Sequence, residues 1–189
     1  VHAQLLGKHP GKLGVEAGPL AVFVLVVHGL VVGDADDELT VLSVAPIEIF
    51  ASKIVALINR TAARDLYDIS NMVKFGLFDE SEEPLLRKCV MLYAVITADT
   101  VPERFDLSGI GKLQPYKIKT DLLPVLRHGE YFDLAAVREK TIRYLTDLLR
   151  PEKDELLFWQ AFAEKQYRPE LLFADEAEAL NRISAHPMA

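Results

Sequence analysis

Between Pro46 and Asp68 the chain reads PIEIFASKIVALINRTAARDLYD, an apolar helical pattern with ionic side chains threaded through it at defined spacing. At about 100° per residue, Lys53, Arg60 and Arg64 fall within about 40° of one another on one face of a continuous helix, and Asp68 follows Arg64 by four residues. The spacing predicts a cationic stripe edged with carboxylate. Pro46 sits where a first-turn proline belongs, so a helix is expected from Pro46 to Asn59. The Thr61-Ala-Ala segment can interrupt it, with Thr61 as the cap of a second helix running through Asp65 to Lys74. On an uninterrupted helix Asp65 lies about 120° from Lys53, whereas a bend would bring the two side chains to one cleft.

The flanking segments set the expected architecture. Residues 1–19 are glycine-rich and aperiodic, which argues for loop or weak order. The β-branched run Ala21 to Val27 reads as a buried strand, and Glu38 to Val44 as a second strand after a Gly-Asp-Ala-Asp-Asp turn. Beyond Gly76 the pattern is helical over 82–98, 116–127, 133–149, 152–165 and 175–184, punctuated by Pro, Gly and Asp. The expected fold class is α+β: a small β-hairpin or sheet remnant followed by a mostly α-helical bundle. Two regions are expected, 1–75 around the hairpin and first helices, and 76–189 as a C-terminal helical domain.

The chain has 189 residues, half of them apolar, enough for a buried core without staples. Its single cysteine, Cys89, fits a reducing cytoplasm and reads as a structural thiol. A net charge of −7 argues against indiscriminate nucleic-acid binding while leaving room for a local basic cleft. The apolar run Leu20 to Val32 is interrupted by His28 and Gly29 and falls short of the roughly 20 residues of a membrane helix, so no span is expected. His2, His9, His28, His128 and His186 lack the spacing of a zinc site. Gly109-Ile-Gly111 lacks the context of a dinucleotide loop. Trp159, Phe158 and Phe162 read as core rather than as a base-stacking platform.

Read whole, the 46–68 segment resembles the third motif of the AbiEii/AbiGii nucleotidyltransferase toxin family, roughly E-x-x-x-x-K-x-x-A-L-x-x-R-x-x-x-R-D-x-x-D. Glu48, Lys53, Ala56, Leu57, Arg60, Arg64, Asp65 and Asp68 are in register with it. Tyr167-Arg-Pro169-Glu170-Leu-Leu-Phe173 and His186-Pro-Met-Ala189 look like the closing signature of the same family. The resemblance runs over about residues 40–189. It implies Mg²⁺-dependent transfer of a nucleotide from an NTP to an acceptor such as tRNA, by a bacterial toxin regulated by an antitoxin protein. By the resemblance, Lys53 would hold the triphosphate and Asp65 would be an additional acid. Arg60 and Arg64 would orient phosphates or an RNA backbone, with Glu48 and Asp68 in support.

The family's metal motif, a Gly-Ser turn followed by Asp-x-Asp on a strand, is not found before residue 46, so the chain is expected to bear the C-terminal part of such a toxin. Asp34 and Asp36 are the weak metal candidates, and a turn is the simpler reading of them. Two functional readings stay open: a nucleotidyltransferase-like toxin, and a non-catalytic remnant that serves as a protein- or RNA-interaction module. Structurally, Arg64 and Asp68 could instead form a plain i,i+4 ion pair, and Asp65 could simply favour a helix N-terminus. A truncated sheet would expose its edges, so self-association or a partner strand is also expected.

Overall fold

The computed structural model describes residues 25–28, 40–43, 45–98 and 100–184. Residues 1–19, Asp34, Asp36 and the closing His186-Pro-Met-Ala189 lie outside the described residues.

α1 (Pro46–Arg60) begins on its proline and ends one residue past the expected Asn59. Thr61 then adopts a left-handed backbone, φ 50° and ψ 49°, and its N–H donates to the Leu57 carbonyl at 3.0 Å. A residue in that conformation stops a helix by satisfying a terminal carbonyl, a place usually taken by glycine. α2 (Ala63–Phe75) restarts after Ala62, whose extended backbone is the N-cap, with no side-chain capping bond. The expectation that Thr61 caps the second helix is therefore corrected: Thr61 closes the first one. Its side chain stands over Gly109, where an added Cβ would lie 2.5 Å from Thr61 Oγ1.

α3 (Glu83–Ile96) packs along α1, and buried Leu86, Val90 and Met91 of α3 share one core with buried Ile54 and Leu57 of α1. α4 (Ser108–Lys112) is a short helix that the apolar pattern does not announce, and it seats Ile110 in the core. The helix expected over 116–127 is three short pieces: α5 (Pro115–Lys117), a π turn over Ile118–Leu122 and a 3₁₀ turn over Leu123–Val125. Pro124 has no N–H to donate back along a helix, and its ring crowds the carbonyl four residues earlier, so a regular α-helix cannot run through it.

α6 (Leu134–Leu148) is capped by Asp133, which accepts from the Ala135 and Ala136 N–H groups at 3.0 and 3.2 Å. α7 (Lys153–Ala163) starts on a capping box between Glu152 and Glu155. α8 (Glu170–Phe173) and α9 (Ala177–Ser184) close the described chain, with Leu172 and Phe173 buried. Trp159 is buried, packs edge-on to Phe105 at 5.0 Å and donates to the Met91 carbonyl at 3.0 Å. Arg87 of α3 is forked onto buried Glu155, Nε to the two oxygens at 2.8 and 3.0 Å, and also pairs with Glu152.

The α+β expectation is overturned. Every element from Pro46 to Ser184 is helical, and one continuous apolar core links α1, α2 and α3 to α6, α7, α8 and α9. Two four-residue stretches, Leu25–His28 and Thr40–Ser43, run antiparallel to each other, and among the described residues no further strand joins them. The helices bury their apolar faces on one another, which makes the described body all-α.

Candidate functional site

The α1–α2 junction places the motif side chains. Because Thr61 and Ala62 interrupt the helix, Lys53 and Arg60 sit on one helix and Arg64, Asp65 and Asp68 on the next, and the single cationic stripe does not form. Two ion pairs bridge the break instead. Lys53 Nζ donates to Asp68 Oδ2 at 2.5 Å, both side chains being about a third exposed. Arg60 forks onto Asp65, Nε to Oδ2 at 2.7 Å and a terminal nitrogen to Oδ1 at 2.8 Å.

The four groups differ in access. The Arg60 guanidinium is largely exposed while the Asp65 side chain is 7% exposed, so the carboxylate acts as a fixed anchor for a cation that faces solvent. That carboxylate, by hydrogen bond and by charge, holds the Arg60 guanidinium above its ordinary value. Arg64 does not pair with Asp68: its Nε donates to the Asp121 backbone carbonyl at 3.0 Å. The i,i+4 reading of Arg64 and Asp68 is thus corrected, because Lys53 takes the carboxylate and the π turn offers Arg64 an acceptor.

Glu48 lies away from this cluster. It is buried in α1, and its charge adds to the burial that raises the pKa values of Cys89 and Tyr93 on α3, which places it toward the α1–α3 packing. Asp34 and Asp36 lie outside the described residues. A divalent cation used in phosphate chemistry needs hard oxygen ligands, usually carboxylates. Among the described residues no group of three or more His, Cys, Asp and Glu side chains is placed to hold one. Both oxygens of Asp65 are engaged by Arg60, and Asp68 Oδ2 by Lys53. The described residues do not fit a Mg²⁺ centre.

Beside the junction runs a groove of about 360 Å³, lined among others by Arg60, Thr61, Lys112, Gln114, Lys117 and Asp121. It adjoins a second hollow of about 540 Å³ that shares Thr61, Gly109 and Lys112 and adds Arg104. Four cations, Arg60, Arg104, Lys112 and Lys117, therefore line a surface of a chain whose net charge is −7. The two carboxylates among them are already engaged. Asp106 accepts from the Ser108 N–H and hydroxyl, at 2.8 and 3.0 Å, and these bonds hold it below the usual carboxylate range. Asp121 accepts from the Thr120 hydroxyl at 2.6 Å, which lowers it likewise, helped by the charge of Lys117. Sequence reasoning missed Arg104, Lys112 and Lys117, because they come from loops and short helices without a period to read.

Comparison with known proteins bears on this geometry. A family model described as the nucleotidyl transferase AbiEii toxin of a type IV toxin–antitoxin system matches residues 6–181. No curated protein and no solved structure matches the chain significantly.

Proposed function

This chain belongs to the AbiEii nucleotidyl transferase toxin family of type IV toxin–antitoxin systems, and from that premise we propose that it moves a nucleotide from an NTP to an RNA acceptor such as tRNA, under the control of an antitoxin protein. In such a transfer an acceptor oxygen attacks the α-phosphorus, the bond to the bridging oxygen breaks, and pyrophosphate leaves. The work of a protein lies in aligning these groups and neutralising their charge.

Lys53 is the residue proposed to grip the triphosphate. The observation that carries this is its position: an accessible ammonium, held by a single carboxylate at 2.5 Å across the helix break, in register with the family motif. A phosphate can displace Asp68 from it without unfolding either helix. Arg60, fixed by Asp65, then presents charge toward a nucleic-acid backbone along the adjacent groove, and Arg64, held on the Asp121 carbonyl, adds charge beside it. In this arrangement Asp65 acts through Arg60 as a positioning residue. The ligands of a Mg²⁺ ion are not found among the described residues, and the roles given to Lys53, Arg60, Arg64 and Asp65 rest on their own charges.

Expression of the chain in a bacterial host tests the reading. Growth arrest that Lys53→Ala abolishes at equal protein level is the expected outcome. Arrest unchanged by that substitution would remove Lys53 from the mechanism. The second reading, a non-catalytic module that binds a protein or RNA, is favoured by one observation, the lack of a metal-ligand set among the described residues.

A further inference from the structure

On the flank of α2 beyond the junction lies a cavity of about 210 Å³, closed by α6 and by the segment Glu130 to Phe132. Tyr67, Ser70, Asn71 and Lys74 line it from α2, at the i, i+3, i+4 and i+7 spacing of one helix face. Asn71 is three residues on from Asp68, so the cavity and the Lys53–Asp68 pair share one side of α2. Lys140 and Thr141 line it from α6.

Three features set it apart from a packing defect. Thr141 is 1% exposed, and its hydroxyl has no hydrogen-bond partner. A buried polar group left so is unfavourable, and a ligand's donor or acceptor would relieve it. Tyr131 stands at the mouth with 86% of its surface exposed, a large aromatic plane with nothing stacked upon it among the described residues. Lys74, whose ammonium stands 5.3 Å from the centroid of the Phe75 ring, and Lys140 line the same cavity and bring positive charge to it. Glu130, the cavity's acid, accepts from the Tyr67 hydroxyl at 2.7 Å, so its charge is partly engaged and the Tyr67 ring is fixed beside Phe132.

We propose that this cavity is the nucleoside subsite for the donor NTP, with the base against Tyr131 and Phe132, its edge read by Asn71 and Thr141, the charge of Lys74 and Lys140 beside it, and the phosphates led back along α2 to Lys53. The volume supports a nucleoside rather than a whole triphosphate, being below the roughly 300–1,000 Å³ of sites that enclose drug-sized ligands. Aromatic planes supply sequence-tolerant stacking, and an amide that both donates and accepts supplies discrimination between bases. The inference rests on the nucleotidyl-transfer reading, and it adds the place where the donor's base is held.

Titration calorimetry of the full chain with ATP, GTP, CTP and UTP in EDTA tests it apart from catalysis. At least one NTP is expected to bind and to be displaced by its free nucleoside. Asn71→Ala should weaken it by about three- to tenfold, the worth of one hydrogen bond. Thr141→Val should weaken it similarly while leaving the unfolding midpoint equal or higher, because the isostere removes an unsatisfied hydroxyl; a purely structural threonine would lower that midpoint. Lys140→Ala should flatten the salt dependence of binding. NTP binding unchanged in all three variants, no NTP binding at all, or a site that an RNA oligonucleotide fills and an NTP does not would each overturn the proposal. Loss of transfer in Lys53→Ala alongside unchanged NTP binding in the cavity variants would sink this inference and leave the broader function standing. Weakened binding in those variants with no transfer from any NTP would do the reverse.

Discussion

Lys53 and Asp68 stand 15 residues apart in the chain and 2.5 Å apart in space, joined across a helix break that Thr61 creates by its left-handed backbone. An ion pair about a third exposed contributes little to folding, about 0–1 kcal/mol. Lys53→Ala is therefore expected to shift the urea midpoint only slightly while abolishing nucleotide transfer. A large stability loss at unchanged transfer would make the pair structural.

The break itself should be sensitive to Gly109. A Cβ there would come within 2.5 Å of Thr61 Oγ1, so Gly109→Ala forces the Thr61 side chain or the α4 backbone to move. Overpacking of this kind costs about 1–3 kcal/mol. Thr61→Gly, which removes the hydroxyl and relieves a positive φ on a β-branched residue, should rescue most of the loss in the double variant. Additive losses measured by denaturant unfolding would show that the two sites are uncoupled.

Arg87 ties α3 to α7 through Glu155, whose side chain is 2% exposed. Removing one partner of a buried pair leaves the other charge stranded, at about 3–5 kcal/mol. Arg87→Ala should show that loss in a urea titration, and Arg87→Met combined with Glu155→Leu should recover a substantial part of it. A single substitution without effect would mean that the pair is solvated in solution.

Burial, with the charge of Glu48 adding to it, raises the Cys89 thiol above its ordinary 9.0, and burial lifts the Tyr93 phenol from 10.0 to about 12. Both groups stay neutral in the folded chain at pH values where the unfolded chain ionises them. Their contribution is thus full below pH 9 and declines as pH rises from there toward 12. Unfolding free energy should fall in that window, and Cys89→Ala should reduce the slope at its onset. The native thiol should also resist a disulfide reagent until the chain unfolds. Rapid labelling of the native protein would contradict this burial.

The long amphipathic segments were legible because period and caps agree: Pro46 opens α1, Asp133 caps α6, and the apolar positions of 134–148 face the core. The interruption near Thr61 was legible too. Its geometry was not, since a left-handed threonine is set by what it packs on, here Gly109, and an apolar period carries no trace of that contact. The same limit explains the motif pairing. Spacing offered Arg64 to Asp68, yet tertiary packing gave Asp68 to Lys53 and sent Arg64 to the Asp121 carbonyl, 57 residues away. The β-branched run suggested a sheet-bearing fold; the strand pairing described is the short one between Leu25–His28 and Thr40–Ser43, and the described core is helical throughout.

Incubation of the chain with each α-labelled NTP, Mg²⁺ and total tRNA, beside Lys53→Ala and Asp65→Ala, measures the proposed activity directly. Label entering RNA with the unaltered chain, lost in Lys53→Ala and reduced in Asp65→Ala as Arg60 loses its anchor, is the predicted result. A folded chain that transfers no label from any NTP, or label indifferent to Lys53, would contradict the account.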